Sequence, residues 1–133
     1  MKRYLLDTCA LKWYWDNDER IKPIAEDIEY YRGDFAVSME SLKEMAYLSQ
    51  FKGMRFDVDF NQLIKALEKL NIAIIEFGMD SLNALLSLPA HKNHTDPTDR
   101  HIIATAIAKK RILVSGDAKF RSYTEHGLSF LEI

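Results

Sequence analysis

Four short stretches of the chain are apolar without interruption: Tyr4-Leu5-Leu6, Phe35-Ala36-Val37, Ile72-Ala73-Ile74-Ile75 and Ile112-Leu113-Val114. A strand with one face in water alternates apolar and polar residues; a strand covered on both faces does not. Between these runs the apolar spacing becomes helical. Leu42, Met45, Ala46 and Ser49 recur at i, i+3, i+4 and i+7, and so do Phe60, Leu63, Ile64 and Leu67. Met79, Leu82, Leu85 and Leu86 mark another helix, ended by Pro89, and Pro23 fits the first turn of a helix reaching about Tyr31. Asp96-Pro97-Thr98-Asp99 is a helix start, with a cap residue, a proline and an early acid. That helix directs Ile102, Ile103, Ala106 and Ile107 inward and ends in Lys109-Lys110-Arg111, whose charge suits the helix dipole. A last strand runs from Leu128 to Leu131. Strand and helix alternate, which predicts a three-layer α/β/α sandwich around a mainly parallel sheet of about five strands. With no linker in 133 residues, a single domain over 1–133 is expected.

A net charge of −2 provides no bulk basic field to recruit nucleic acid, so a polyanion needs a local patch or a metal. The single cysteine, Cys9, excludes an internal disulfide and a zinc-finger-type site, and reads as a small buried apolar residue. No apolar run approaches the ~18 residues of a spanning helix. Met1 to Asp7 is too short and too quickly acidic for a signal peptide. A cytoplasmic protein with no membrane partner is expected.

In a parallel sheet, ligands bind beyond the carboxyl ends of the strands. Asp7 ends the first apolar run, Glu44 follows the second, Asp117 ends the Ile112-Leu113-Val114 run, and Asp99 opens the helix before it. Two carboxylates ~4 Å apart repel by about 4 kcal/mol at an effective dielectric of 20. Acids sharing one rim must protonate, separate or hold a cation, and oxygen-only ligands select Mg²⁺ or Mn²⁺ over zinc. Each acid also has a structural reading. Ser41-Leu42-Lys43-Glu44 fits a capping box, Asp96 is most simply a helix cap, Asp99 favours the helix dipole, and Asp117 caps the next turn. Asp7 is the hardest to explain this way, since an acid directly after Tyr4-Leu5-Leu6 is costly to bury unpaired.

Four segments in order carry a resemblance: Tyr4-Leu5-Leu6-Asp7-Thr8, Ser38 to Ala46, Asp96-Pro97-Thr98-Asp99-Arg100 with Ile103-Ala104-Thr105-Ala106, and Leu113-Val114-Ser115-Gly116-Asp117. Over essentially its whole length the chain resembles the PIN domain, and within it the VapC-type toxins of bacterial toxin–antitoxin pairs. The resemblance implies a Mg²⁺- or Mn²⁺-dependent ribonuclease whose acids are Asp7, Glu44, Asp99 and Asp117, with Asp96 as a cap or an alternative ligand. It also implies that Thr8 and Ser115 orient acids or waters. Cys9 stands where His is frequent, and Lys43 where Trp is frequent. The implied reaction is phosphodiester hydrolysis leaving 3′-hydroxyl and 5′-phosphate ends.

RNA approaching an acidic rim needs flanking bases, for which Arg100, Lys12, Lys43 and Lys119 are the candidates nearest the motifs. His91, His94 and His101 show no ligand spacing and read as structural or solvent-exposed. The implied partner is a cognate antitoxin protein, with a homodimer or higher complex. Trp13, Tyr14, Trp15, Tyr30, Tyr31, Phe51, Met54 and Phe56 are candidates for those contacts, since consecutive aromatic residues on a helix point about 100° apart and do not bury together. Two alternatives stand beside this reading. A haloacid-dehalogenase-like phosphatase also opens with an Asp after a strand, but needs an acid where Cys9 stands. A non-catalytic PIN domain that binds RNA or protein does not need all four acids.

Overall fold

The computed structural model describes residues 1–51, 58–90 and 94–133. β1 (Arg3–Leu6) leads into α1 (Thr8–Trp15), a 3-10 turn (Glu19–Ile21) and α2 (Lys22–Glu29). β2 (Asp34–Ser38), α3 (Met39–Phe51), α4 (Phe60–Lys69) and β3 (Ala73–Ile75) follow. The chain then forms α5 (Met79–Ser87), α6 (Pro97–Ala108), β4 (Ile112–Ser115), a second 3-10 segment (Ala118–His126) and β5 (Ser129–Glu132). All strand pairs are parallel, in the order β3-β2-β1-β4-β5. The α/β/α sandwich and its five-stranded sheet are as the apolar runs predict.

Register explains why those runs do not alternate. Leu5 sits beside Ala36 and Leu113, and these three join Ile102, Ile103, Ala106, Phe120 and Tyr123 in one core. Leu6 sits beside Val37 and Val114, which join Ala10, Leu11, Ile28, Met45 and Leu63 in the other. Leu5, Leu6, Leu113 and Val114 are wholly buried. Each such side chain contributes about 1.5–3 kcal/mol, so both faces need apolar residues.

The sheet edge departs from its expected burial. Ile72 is buried, but it precedes β3, whose Ala73 is exposed and whose Ile74 and Ile75 are half-buried, because β3 pairs on one side only. α5 forms as predicted, yet Met79, Leu82 and Leu86 face outward while Ser81 is buried. Arg111 departs too. It is buried, and its Nη1 donates to the Tyr4 carbonyl (3.1 Å) and to Asp34 Oδ1 (3.0 Å) at the amino-terminal edge of the sheet. It ties β1 to β2 rather than serving the helix dipole.

Topology positions the site. The chain runs from β1 through β2 to β3 on one side, then returns to lay β4 and β5 on the other. That reversal leaves a crevice beyond the carboxyl ends of β1 and β4, where doubly wound sheets bind ligands. Among the described residues, no helix is long and apolar enough to cross a membrane.

Candidate active site

Asp7 is the first residue beyond β1. Its backbone N–H still donates to the Val114 carbonyl (3.1 Å), so the sheet holds it in place. Its Oδ1 accepts from the Ala10 N–H (2.8 Å), which caps α1, and from the Cys9 thiol (3.0 Å). Asp7 is only 6% exposed. Burial raises its pKa; the Ser115 hydroxyl and the bonds from Ala10 and Cys9 offset part of that, and the charge of Asp99 adds to it. Cys9 is half-buried rather than buried, and desolvation with the Asp7 charge pushes its thiol up to about 12. The thiol is therefore a neutral donor to Asp7.

Glu44 lies on α3. The Ser41–Glu44 capping box does not form, because α3 begins at Met39 and its cap bond is Ser38 Oγ accepting from the Glu40 N–H (3.1 Å). Ser41 Oγ is buried without a partner inside the helix. The carboxylate of Glu44 is thus not used by helix capping. Burial raises its pKa, the nearby Thr8 hydroxyl lowers it, and Asp99, Asp96 and Asp7 raise it further by repulsion.

At the start of α6 the two acids divide their roles. Asp96 is exposed and caps the helix, its Oδ1 accepting from the Asp99 N–H (3.1 Å). The Asp99 side chain is half-buried and turned to the crevice acids. Burial raises its pKa, His94 counteracts this, and Asp96 and Asp117 repel it. Asp117 follows β4 through Gly116; its Oδ1 accepts from the Lys119 N–H (2.9 Å) and its own N–H donates to Ser115 Oγ (3.0 Å). The cap expected of Asp117 forms, and leaves its second oxygen uncommitted to that turn. Asp7, Glu44 and Asp99 lie within electrostatic reach of one another beyond the carboxyl ends of the strands, and Asp117 lies within reach of Asp99.

The basic candidates are engaged to different degrees. Lys12 pairs with Asp16, one turn along α1. Lys43 pairs with Glu40 (3.2 Å). Arg100 Nη1 donates to the Pro89 carbonyl (2.8 Å) and to the Tyr123 hydroxyl (3.4 Å), which makes it a tether of the segment before α6. Lys119 is exposed just beyond Asp117. Beside Glu44, a cleft of about 380 Å³ opens between α3 and α6, lined by Glu40, Lys43, Glu44, Tyr47, Thr98 and His101 among others.

His94 is structural rather than solvent-exposed, and its contacts are ones that no local pattern reveals. It is buried, with Nε2 3.0 Å from Asp99 Oδ2 and Nδ1 3.0 Å from the Tyr123 hydroxyl. No periodicity marks a loop residue, so only its place five before Asp99 hints at this contact. Glu40 also went unmarked; it sits 3.6 Å from His101 Nδ1. His91, Met54 and Phe56 lie outside the described residues. Of the other aromatic candidates, Trp13, Tyr14 and Trp15 pack partly against the core, while Tyr30, Tyr31 and Phe51 are exposed.

A family model, the PIN domain, matches residues 4–125. The chain belongs to the PIN domain family. Solved structures agree on the fold. VapBC2 from Rickettsia felis, bound to a DNA fragment from its promoter, is 18% identical, covers 97% of each chain and gives a TM-score of 0.64. DNA-bound VapBC from Salmonella typhimurium is 14% identical over 99% of this chain and 98% of that one, with a TM-score of 0.66. VapBC-1 from nontypeable Haemophilus influenzae is 19% identical over 97% and 96%, with a TM-score of 0.62. No curated protein matches significantly.

The acids of this PIN domain are oxygen donors, the kind a hard dication takes. The donors are carboxylate oxygens, three of them held by burial and mutual repulsion in a state that a cation relieves. Thr8 Oγ1, beside Glu44, is buried without a hydrogen-bond partner. Among the described residues, no group of three or more His, Cys, Asp or Glu is placed to hold a metal ion by itself. Mg²⁺ does not require such a cage, since it keeps several waters and binds through one or two carboxylates.

Proposed function

We propose that this PIN domain is a Mg²⁺- or Mn²⁺-dependent endoribonuclease, the toxin of a toxin–antitoxin pair. The observation that supports the reading is that Asp7, Glu44 and Asp99 repel one another beyond the carboxyl ends of the strands, with Asp117 within reach of Asp99. The match to VapBC folds supports it. Cys9, two residues after Asp7, stands where a haloacid-dehalogenase-like phosphatase requires its acid, which disfavours that chemistry.

Asp7, Asp99 and Asp117 would hold the ion, directly or through water. Once bound, it lowers the pKa of water and neutralises charge developing on a phosphodiester. Glu44, its proton affinity raised by burial, orients the attacking water at a carboxylate oxygen or would hold a second ion. We assign the Thr8 and Ser115 hydroxyls, beside Glu44 and Asp7, to orienting these acids or their waters. Water adds to phosphorus, the P–O3′ bond breaks, and the departing oxygen takes a proton, giving 3′-hydroxyl and 5′-phosphate ends. Lys43 and Lys119 on the rim are the remaining candidates for flanking phosphates. The partner is a small antitoxin protein, in a homodimer or higher complex, and the setting is the cytoplasm.

The test is cleavage of a mixed RNA pool by the purified protein, before and after EDTA, with Mg²⁺ or Mn²⁺ restored. Loss in EDTA and recovery with either ion is expected. Undiminished cleavage in EDTA would overturn the metal mechanism. A small reading frame abutting or overlapping this gene would supply the antitoxin.

A further inference from the structure

We propose that His94 is a positioning residue that holds the Asp99 carboxylate in its working rotamer through a directed hydrogen-bond chain. The proposal rests on the nuclease reading above and assigns a residue that the four-acid set leaves out.

One sense of this chain leaves His94 Nε2 as the donor to Asp99. Arg100 Nη1 is a donor only, anchored to the Pro89 carbonyl at 2.8 Å, and it also donates to the Tyr123 oxygen at 3.4 Å. We take the Tyr123 hydroxyl to donate to His94 Nδ1, 3.0 Å away. Nδ1 is then the acceptor, and the ring proton sits on Nε2, which donates to Asp99 Oδ2 at 3.0 Å. This tautomer is assigned from the network. One oxygen of Asp99 is so committed to the imidazole N–H, and Oδ1 is left for an ion or its waters.

Packing makes the imidazole a fixed support. His94 is 6% exposed and lies against Phe120 and Tyr123, with ring centroids 5.4 Å away in both cases. Tyr123 and Phe120 are themselves buried in the core under β4. Asp99 has no comparable partner on its own helix, since its other neighbour, Asp96, repels it. Without His94, the carboxylate is free to turn away from the other acids. Groups that orient metal-ligating carboxylates and imidazoles typically change metal affinity or activity 10–100-fold when lost.

The experiment reads Mn²⁺ affinity by calorimetry on the metal-free protein, alongside RNA cleavage. His94→Phe keeps the ring and its packing but no donor; Mn²⁺ affinity is expected to fall about tenfold or more. His94→Gln restores an N–H near the Nε2 position and is expected to recover affinity to within about threefold of wild type. Tyr123→Phe removes the bond that fixes the tautomer and is expected to weaken Mn²⁺ binding several-fold. A folded His94→Phe protein with wild-type Mn²⁺ affinity would overturn the proposal, leaving His94 as a core residue. Should that variant fail to fold, Tyr123→Phe decides by the same measure: a loss supports the chain and wild-type affinity overturns it. A wild-type protein that binds no Mn²⁺ and cuts no RNA overturns the nuclease reading, and the positioning role with it.

Discussion

Asp7 caps α1 through the Ala10 N–H and also carries charge at the centre of the acidic crevice. Asn in its place keeps an oxygen for the cap and loses the charge. Asp7→Asn is therefore expected to abolish RNA cleavage while the metal-free protein melts at the wild-type temperature or slightly above, as repulsion with Asp99 is relieved. Melting several degrees lower would identify Asp7 as a structural acid. The same residue predicts a pH dependence. Burial raises the Asp7 pKa above its ordinary value of 3.8, so above that pH the folded chain binds more protons at this site than the unfolded one. The contribution of Asp7 to metal-free stability is thus greatest below 3.8 and declines as pH rises through its folded value. Glu44 and Asp99, also raised, act in the same direction. The melting-temperature difference between Asp7→Asn and wild type in EDTA is expected to grow with pH across that window. A difference that shrinks as pH rises would mean that a cation of the protein already pairs with Asp7.

The α6 start separates two acids three residues apart. Asp96 caps the helix and is exposed, so Asp96→Asn is expected to cut RNA about as well as wild type, since Asn caps equally well. Asp96→Ala is expected to cost about 1 kcal/mol in a denaturation series. Asp99→Asn is expected to lose most activity; the reverse ranking would make Asp96 the ligand. A second element-scale constraint lies at the end of β4. A Cβ on Gly116 would overlap the Trp13 ring, so Gly116→Ala is expected to lower stability by about 1–3 kcal/mol. It is also expected to reduce cleavage, because relief of that overlap moves Asp117. Wild-type stability and rate together would show that Trp13 yields instead. The helix start was legible in the sequence because cap, proline and first-turn acid are local signals. The acids at the strand ends were legible because an apolar run followed by Asp has few physical explanations. His94 was not, because its partners Tyr123 and Asp99 meet it only through the tertiary fold. Which face of α5 points outward is not legible for the opposite reason: Met79, Leu82 and Leu86 have helical apolar spacing, but they are exposed and the helix packs on α6. Arg111 likewise had a sufficient local reading, and only the sheet brought Tyr4 and Asp34 to it.

For the whole molecule, strand order bears on what kind of ion the proposed site would use. Reversal of the sheet between β1 and β4 brings carboxylates from both sides of the chain to one crevice, which stays open on the α3/α6 side toward the cleft beside Glu44. Such a site supplies few protein oxygens, and water must complete the ion's shell. Mg²⁺ and Mn²⁺ favour compact octahedral shells that retain water, and retained, acidified water is what hydrolysis needs. Ca²⁺ accepts more ligands at longer distances, so it is expected to occupy the acids, raise the melting temperature of the metal-free protein, and support little turnover. It is then expected to inhibit the Mg²⁺ reaction competitively. Zn²⁺ is expected to be a poor substitute, because nitrogen and sulfur donors suit it better and the Cys9 thiol stays protonated against Asp7. The measurement is RNA cleavage with each ion added back after EDTA, paired with melting curves in the same solutions. Ca²⁺ that stabilises the protein and suppresses Mg²⁺-driven cleavage would place ion binding and turnover at the same acids. Ca²⁺ that supports cleavage as well as Mg²⁺ would remove the need for a compact, water-retaining shell, and the division of roles between Glu44 and the three aspartates would have to be redrawn.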